Sequence, residues 1–199
     1  MLKHELIEQL KRGGVDPRVV EAIAKVRRES FVPEHLKSYA YEDMALPLDD
    51  GSALSQPSAI VFMLNQLDLH QGQKILEIGS GSGYFIALLS EIIKNGNIYG
   101  LELNKNLAVI SKMRLSNDTN VEIFHKNGFS GLPEKAPFDR IIVSAATSGI
   151  PEHLFLQLKE NGVLLVPVKQ SLVKVIRRAD DHKEITEFPG FSFVPLKGE

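Results

Sequence analysis

Three glycines at alternate positions are the first candidates for chemistry in this sequence. Gly79, Gly81 and Gly83 stand in LEIGSGSGY, residues 76–84, where a buried apolar run gives way to a helical pattern. Without a Cβ, each glycine lets the backbone turn tightly and approach a ligand. In an open α/β sheet, such a strand-to-helix turn lies at the ligand crevice. The segment therefore predicts a binding loop in which bulk at Gly81 blocks the ligand; a tight turn without a ligand is the alternative.

An acidic residue at the end of the next apolar run narrows the ligand class. Glu102 follows the loop by about twenty residues, where a carboxylate can accept hydrogen bonds from both hydroxyls of an adenosine ribose. Dinucleotide-binding loops place their third glycine three positions after the second, but here the interval is two and Tyr84 holds that position. Glu77, at the end of the first strand, is unlike a pyrophosphate site but can face an ammonium group. This combination favours S-adenosylmethionine over a nicotinamide dinucleotide.

The stretch DDGSALSQPSAI, residues 49–60, has neither helical nor strand periodicity before its final apolar run. Ser55 stands just before a predicted helix that begins Gln-Pro-Ser. A serine at such a position commonly caps the helix, which is one interpretation of Ser55. The other is that the segment from Gly51 to Pro57 reaches over the glycine loop as part of the site.

The elements that must position these residues follow from the spacing of apolar side chains. Two short helices come first, the second capped by Asp16-Pro17, and an irregular segment leads to a helix from residue 58. After Gly72, short apolar runs alternate with helical patterns, which predicts a parallel sheet covered on both faces. The predicted strands are KILEIG, NIYGLEL, VEIFH, FDRIIVSAA and GVLLVPV, and the predicted helices span 83–93, 104–116 and 151–158.

The end of the sequence predicts an antiparallel addition to this sheet. SLVKVIRRADDHKEITEF forms a hairpin pattern around Asp180-Asp181, and FSFVPL is a candidate to pair there too. The predicted fold is a Rossmann-like, mostly parallel doubly wound α/β sheet with an antiparallel C-terminal end. It forms one domain over 1–199, with a helical cap and active-site loop at 1–57 and the core at 58–199.

The composition excludes several classes of protein. The sequence has no cysteine, so a disulfide scaffold, a thiolate metal site and a cysteine nucleophile are excluded. The histidines show no metal-ligand spacing, and no metal is expected. A formal net charge of −2 and the absence of a long apolar run argue against nucleic-acid and membrane partners. A monomeric cytoplasmic protein is expected.

Several segments together resemble the protein-L-isoaspartate (D-aspartate) O-methyltransferase family. The matching segments are FVPEHLKSYAYED, GSALSQP, LEIGSGSGY, FDRIIVSAA, IPEHLFLQLKENGVLLVPV and FVPL. Many methyltransferases share the glycine loop, whereas SQP upstream of it and FVP at both ends are more specific. The resemblance implies a class I methyltransferase that uses S-adenosylmethionine to methylate the free α-carboxylate of isoaspartyl residues in damaged proteins, leaving S-adenosylhomocysteine. The ester then closes to a succinimide, which begins repair.

The resemblance also implies roles for particular residues. Ser55 corresponds to the active-site serine, and the residues just before it line the cofactor and substrate pocket. His70 falls at a position that borders the cofactor in the family, although on the residues alone it equally fits an exposed turn. The predicted cofactor-binding set is Ser52, Ala53, Leu54, His70, Glu77, Gly79, Ser80, Gly81, Gly83, Glu102, Leu103, Asn127 and Gly128.

Three positions depart from the family pattern. Asn127-Gly128 replaces the usual Asp-Gly, whose acid accepts a hydrogen bond from the adenine amino group, and an asparagine carbonyl accepts more weakly. Ala53 replaces a threonine two residues before the active serine, and Ser192 replaces an arginine near the terminal FVPL. The losses at Ala53 and Ser192 could weaken the binding of a peptide carboxylate.

The chemistry needs few catalytic groups. A carboxylate with a pKa near 4 is already ionised at neutral pH, so it needs no general base. Charge disappears when this anion attacks a methyl group on positive sulfur, and a dry pocket that holds the two in line should favour the reaction. Ser55 is expected to donate a hydrogen bond to the acceptor carboxylate. The alternatives are a methyltransferase for another carboxylate and a non-catalytic cofactor-binding relative; an oxidoreductase disagrees with the glycine spacing.

Overall fold

The helices and strands of this protein follow the predicted alternation closely. The computed structural model describes residues 1–198. The helices are α1 (Lys3–Arg12), α2 (Pro17–Lys25), α3 (Pro57–Gln66), α4 (Tyr84–Ile92), α5 (Lys105–Arg114) and α6 (Glu152–Phe155). The strands are β1 (Leu46–Pro47), β2 (Ala53–Leu54), β3 (Lys74–Ile78), β4 (Asn97–Glu102), β5 (Val121–His125), β6 (Phe138–Val143), β7 (Leu158–Val168), β8 (Ser171–Arg177) and β9 (Lys183–Pro189).

Local sequence explains where key helices begin. In α2 the carboxylate of Asp16 accepts from the backbone N–H of Arg18 at 2.8 Å, and Pro17 occupies the first turn, where its missing N–H costs nothing. In α5 the side chain of Asn104 accepts from the N–H groups of Asn106 and Leu107. Each cap satisfies donors that the helix itself leaves unpaired.

The seven-stranded sheet has the order β5-β4-β3-β6-β7-β8-β9. The first five of these strands run parallel to one another, and β8 runs antiparallel to both of its neighbours, β7 and β9. The chain winds outward from β3 in one direction through β4 and β5, and in the other through β6 and β7. The predicted fold class is confirmed, and the order reverses beside β3, where an open α/β sheet binds its ligands.

Alternation along β3 sends its side chains to two separate cores. Ile75 packs in a core that includes residues of α1 to α4, among them Ile23 and Ile86. Leu76 and Ile78 pack on the opposite face. The cap helix α2 lies against α4. Because Glu77 alternates with Leu76 and Ile78, its carboxylate points to the face of the sheet that α3 and α4 cover.

Two local predictions differ from the structure. The helix predicted over 151–158 ends at Phe155, because Leu158 pairs with Phe138 and begins β7. The segment FSFVPL does not extend the hairpin of β8 and β9. The chain reverses at Gly190, whose φ is 91°, and then crosses the carboxyl end of β6. There Ala146 donates to Val194 and accepts from Leu196, each at 2.8 Å.

Within residues 1–198, none of the helices has the length and apolar character needed to cross a membrane.

A substitution at Gly83 tests how closely the glycine loop packs against α5. Its φ is 88°, and a Cβ there would lie 3.0 Å from side-chain atoms of Ser111 and Leu115. We expect Gly83→Ala to lower the free energy of unfolding by about 1–2 kcal/mol for left-handed backbone strain and by about 1–3 kcal/mol more for overpacking. Urea denaturation of Gly83→Ala and the parent measures the sum of the strain and the overpacking.

The matched control is Gly14→Ala. Gly14 has a φ of 69° and no atom within 4 Å of the added Cβ, so this variant carries the strain alone. Equal losses in the two variants would show that the contact with α5 is unimportant.

Candidate active site

Three cavities meet at Ala53 and Ser144, beside the segment 46–56, which is called the flap. The strand-end cavity has a volume of about 270 Å³, the central cavity about 40 Å³ and the aromatic cavity about 380 Å³. Ala53 and Ser144 line all three, and Ser55 lines the central and aromatic cavities. The active-site serine predicted from the sequence therefore lies in the wall that separates a cavity at the glycine loop from a wide cavity on the other side of the flap.

The linings of these cavities differ in character. The strand-end cavity is lined by Asp50, Gly51, Ser52, Ala53, Ile78, Gly79, Gly81, Leu101, Glu102, Leu103, Asn104, Gly128, Ser144, Ala145, Val194, Pro195, Leu196 and Lys197. The central cavity is lined by Leu48, Ala53, Leu54, Ser55, Ile60, Met63, Glu77, Gly79, Ser80, Gly81, Ser82, Tyr84, Phe85 and Ser144. The aromatic cavity is lined by Ala45, Ala53, Ser55, Gln56, Ser58, Ala59, Phe62, Ser144, Gly190, Phe191, Ser192, Phe193 and Val194.

The glycine loop is held by the end of β4. The backbone N–H groups of Gly79 and Ser80 both donate to the carbonyl of Leu101, at 2.9 and 3.1 Å. The N–H of Gly81 donates to the Glu102 carboxylate at 2.7 Å. The φ angles of Gly79 and Gly81 are 78° and 52°, which glycine adopts without the steric cost that a Cβ brings. The loop and the acid that the sequence singled out are thus in direct contact.

Glu102 is nearly buried yet remains at the wall of the strand-end cavity. Its other carboxylate oxygen accepts from the N–H of Asn104 at 2.8 Å, and only 6% of the residue is exposed. A carboxylate oxygen has lone pairs for more than one donor. Glu102 can therefore accept ligand hydroxyl groups while it keeps its bonds to the backbone.

Glu77 is a buried carboxylate with one oxygen unpaired. Ser144 Oγ donates to Glu77 Oε1 at 2.6 Å, whereas Oε2 has no hydrogen-bond partner among residues 1–198. Burial raises the pKa of Glu77 to about 8, the nearby charge of Glu102 adds to this, and the bond from Ser144 opposes it. A carboxylate oxygen that lacks a partner and lies in the central cavity is suited to a ligand ammonium group.

Ser55 is not the cap of α3. The capping position belongs to Gln56, whose side chain makes no capping bond, and Asp43 instead accepts from the N–H of Ser58 at 2.9 Å. The Ser55 carbonyl accepts from the buried Arg28 side chain at 2.7 Å. The helix is satisfied without the Ser55 hydroxyl, so this hydroxyl is left for another role.

Three residues of the predicted cofactor set do not line these cavities. His70 precedes β3, so it lies at the amino end of the strand, and its imidazole pairs with Asp68 at the surface. Gly83 starts α4 and faces α5. The side-chain oxygen Oδ1 of Asn127 accepts from the N–H of Phe129 at 2.9 Å in a local turn, while its neighbour Gly128 lines the strand-end cavity. Strand direction separates His70 from the glycine loop, which follows the other end of β3.

Sequence reasoning missed Ser144, Lys197 and Arg28. Ser144 directly follows β6, and a search for polar residues at the carboxyl ends of strands beside β3 would have found it. Lys197 Nζ donates to the carbonyl and carboxylate of Asp50, at 2.7 and 2.9 Å, and closes the rim of the strand-end cavity. Neither Lys197 nor Arg28 carries a sequence pattern that indicates its position.

No cluster of three metal-ligating side chains occurs within the part of the chain that the structure describes. The site instead contains a glycine loop, two nearly buried carboxylates and two serines around one junction. A doubly wound sheet with this site at the end of β3 defines a Rossmann-like methyltransferase of the S-adenosylmethionine-dependent class.

Comparison with known proteins identifies the family within this class. The family model described as protein-L-isoaspartate (D-aspartate) O-methyltransferase matches residues 1–199. The chain therefore belongs to this family, as the motifs predicted.

Individual relatives agree with the family match. The protein-L-isoaspartate O-methyltransferase 2 of Pelobacter propionicus is 40% identical, with coverage of 96% of this chain and 88% of the relative. The Thermosipho melanesiensis protein-L-isoaspartate O-methyltransferase is also 40% identical, over 87% of this chain and 89% of the relative.

Two solved structures share the fold over almost the entire chain. A protein-L-isoaspartate O-methyltransferase matches with a TM-score of 0.89 at 29% identity, covering 99% of this chain and 66% of that one. A putative Plasmodium falciparum protein of the same name, in complex with S-adenosyl-L-homocysteine, matches with a TM-score of 0.83 at 27% identity and 98% coverage of both.

The buried Glu77 predicts how stability depends on pH. In the unfolded chain this carboxyl has a pKa of about 4.5, and in the folded protein about 8. The folded state therefore holds a proton that the unfolded state has lost, so the contribution of Glu77 to stability falls as pH rises from about 4.5 to about 8. The full effect is on the order of 5 kcal/mol.

Glu77→Gln should remove this penalty. We expect the variant to gain stability relative to the parent at pH 8.5 but little at pH 5, as measured by urea denaturation of the ligand-free protein. Glu160→Gln, at an exposed carboxylate, is the control. An equal difference between Glu77→Gln and the parent at both pH values contradicts a neutral Glu77.

Proposed function

We propose that this chain transfers a methyl group from S-adenosylmethionine to the free α-carboxylate of isoaspartyl residues in damaged proteins. The observation that carries the proposal is the position of Ser55, between the cavity at the glycine loop and the wide aromatic cavity. A transferase needs two ligands to meet at one point, and the junction of Ala53, Ser55 and Ser144 provides it.

The residues around the two inner cavities fit the cofactor. The unpaired Oε2 of Glu77 can accept a hydrogen bond from the ammonium group of the cofactor. Glu102, at the wall of the strand-end cavity, can accept from the ribose hydroxyls. Gly79 and Gly81 leave room for close approach of the ligand to the backbone. S-adenosylmethionine supplies a methyl group bonded to positively charged sulfur. Its methyl end is assigned to the junction, opposite Ser55.

The protein has no proton to remove from the acceptor. The isoaspartyl carboxylate arrives as an anion at neutral pH. One of its oxygens forms a bond to the methyl carbon while the carbon–sulfur bond breaks, and that electron pair stays on sulfur in neutral S-adenosylhomocysteine. The products are a methyl ester and a thioether, so both starting charges disappear.

Positioning and exclusion of water are the tasks left to the side chains. The Ser55 hydroxyl donates to one acceptor oxygen and leaves the other free to attack. The flap covers the junction with apolar groups of Leu48 and Leu54. Water stabilises separated ions more than the neutral products, so a dry junction lowers the barrier, and in-line placement lowers it further.

The aromatic cavity is assigned to the peptide. Its lining has no charged side chain, and Phe62, Phe191 and Phe193 form one wall. Ser192, where the family usually has arginine, belongs to this wall, and Ala53, where it usually has threonine, belongs to the junction. A second function, methylation of another carboxylate, is favoured by these two changes near the acceptor.

One assay separates these functions. Purified protein is incubated with S-adenosylmethionine and, in separate reactions, a small carboxylic acid or one of three versions of a peptide with isoaspartyl, aspartyl or asparaginyl at the same position. Calorimetry measures cofactor binding by the same preparation. Methyl ester formation on the isoaspartyl peptide alone supports the proposal. Preference for the aspartyl version or for a small carboxylic acid favours the second function, and tight cofactor binding without any ester indicates a non-catalytic relative.

The proposed setting is a cytoplasmic monomer of one domain, with isoaspartyl proteins as partners. The lack of cysteine fits a reducing compartment. A single domain is supported because helices α1 to α4 and the sheet share one hydrophobic core. Sedimentation analysis of the purified protein tests the monomer.

Ser55→Ala tests the mechanism. Loss of a hydrogen bond to a charged acceptor should cost about 1.5–3 kcal/mol, so we expect turnover to fall roughly 10- to 100-fold. The affinity for S-adenosylhomocysteine, measured by calorimetry, should change little, because Ser55 lies at the far side of the junction.

Ser58→Ala provides the control, since Ser58 lines the aromatic cavity but not the central one. It should retain most of the activity. Unchanged turnover in Ser55→Ala would remove Ser55 from the mechanism.

A further inference from the structure

Arg28 is a fully buried cation without an ion-pair partner. Its exposed fraction is 0%, and no carboxylate of residues 1–198 lies within 4.0 Å of its nitrogens. Nε donates to the carbonyl of Ala40 at 2.6 Å and Nη2 to that of Ser55 at 2.7 Å, while Nη1 has no hydrogen-bond partner. Proteins rarely bury such a charge unpaired, because removing it from water is costly.

The same side chain links the two halves of the site. Its guanidinium carbon lies 5.1 Å from the centre of the Tyr84 ring, within the range of a cation–π interaction. Tyr84 is the first residue of α4, directly after the glycine loop, and it lines the central cavity. Arg28 therefore joins the backbone of the flap at Ser55 to the start of the helix that follows the loop.

The cavities near Ser55 offer no other cation to an anionic acceptor. Neither the aromatic nor the central cavity is lined by lysine, arginine or histidine. The central cavity does contain the carboxyl group of Glu77, which, when ionised, repels an incoming carboxylate. Asp43, the acid that acts on Arg28 at longer range, is bonded to the N–H of Ser58. An acceptor carboxylate bound by the Ser55 hydroxyl thus lies near a guanidinium that bonds the carbonyl of the same residue and has no ion-pair partner among residues 1–198.

We propose that Arg28 is a positioning residue that supplies the counter-charge for the acceptor carboxylate through Ser55. It fixes the Ser55 carbonyl, and so the backbone from which the Ser55 side chain extends, and its charge attracts the carboxylate without touching it. The aromatic cavity can then remain uncharged although it receives an anion, even with serine at position 192. This inference rests on the proposed function.

Variants at position 28 separate charge from packing. Arg28→Met removes the charge and keeps much of the apolar stem, and Arg28→Lys keeps the charge but loses the two-point donation. We expect Arg28→Met to raise the KM for an isoaspartyl peptide at least tenfold, while the Kd of S-adenosylhomocysteine stays within about threefold. Arg28→Lys should recover part of the loss in KM.

The neighbouring arginine is the matched control. Arg27 is 72% exposed at its side chain and pairs with Glu29 at the surface, so Arg27→Met removes the same charge from the adjacent residue. Its KM should equal that of the parent. The proposal is overturned if Arg28→Met leaves KM unchanged, if Arg28→Lys is as impaired as Arg28→Met, or if KM and the Kd of S-adenosylhomocysteine rise together.

If the variants do not fold, a measurement on the unaltered protein tests whether the acceptor carboxylate meets a counter-charge. Calorimetry compares the binding of an isoaspartyl peptide and its α-carboxamide analogue to the protein saturated with S-adenosylhomocysteine. The carboxylate should bind at least tenfold more tightly, whereas equal affinities would exclude a counter-charge. If the unaltered protein methylates no isoaspartyl peptide, the proposed function fails; if it does so and the two peptides bind equally, only the role of Arg28 fails.

Discussion

The geometry of the site depends on how the end of β4 holds the backbone that follows β3. Leu101 and Glu102 together accept the N–H groups of Gly79, Ser80 and Gly81. These bonds fix the glycine loop before any ligand arrives. The parallel pairing of β3 with β4 sets their relative height, because Ile78 lies opposite Leu101. The glycine loop is therefore positioned by the sheet, and sites built on strands are more precise than sites built on loops.

Two buried ionisable side chains, each with one polar atom that lacks a hydrogen-bond partner, lie on opposite sides of the junction, Glu77 beneath it and Arg28 behind the flap. Each is costly in the free protein, since burial without a partner removes hydration and gives little in return. When ionised, each has the sign opposite to one of the proposed ligand groups, an ammonium for Glu77 and a carboxylate for Arg28. Part of the stability of the ligand-free fold is thus exchanged for recognition, as is common where a site is preorganised.

The sequence predicted the parts of the structure that depend on local pattern. The alternation of strands and helices, the glycine loop and the acid at the end of β4 all follow from spacing within about thirty residues. The motif identified Ser55 as a site residue. Its hydroxyl is not needed to cap α3 because Asp43 accepts the N–H of Ser58, and no local pattern reveals that contact. The reversal at Gly190, which brings residues 194–196 beside Ala146, equally depends on the assembled sheet.

The positions of other residues also have physical causes that local pattern does not reveal. Strand direction alone separates His70 from the loop, and a parallel sheet drawn from the predicted strands would have shown it. The role of Asn127 was predicted from the chemistry of its side chain. In the structure its side-chain oxygen Oδ1 accepts from the N–H of Phe129 in a local turn. Arg28 has the appearance of an ordinary surface residue beside Arg27, because burial of a charged side chain is a property of the whole fold.

The contact between Lys197 and Asp50 joins residues 147 positions apart in the chain. An exposed ion pair of this kind contributes little stability by itself, yet it completes the rim of the strand-end cavity. The enclosed form of the cavity consequently needs two segments that belong to different parts of the fold, the flap before α3 and the strand-crossing segment after β9.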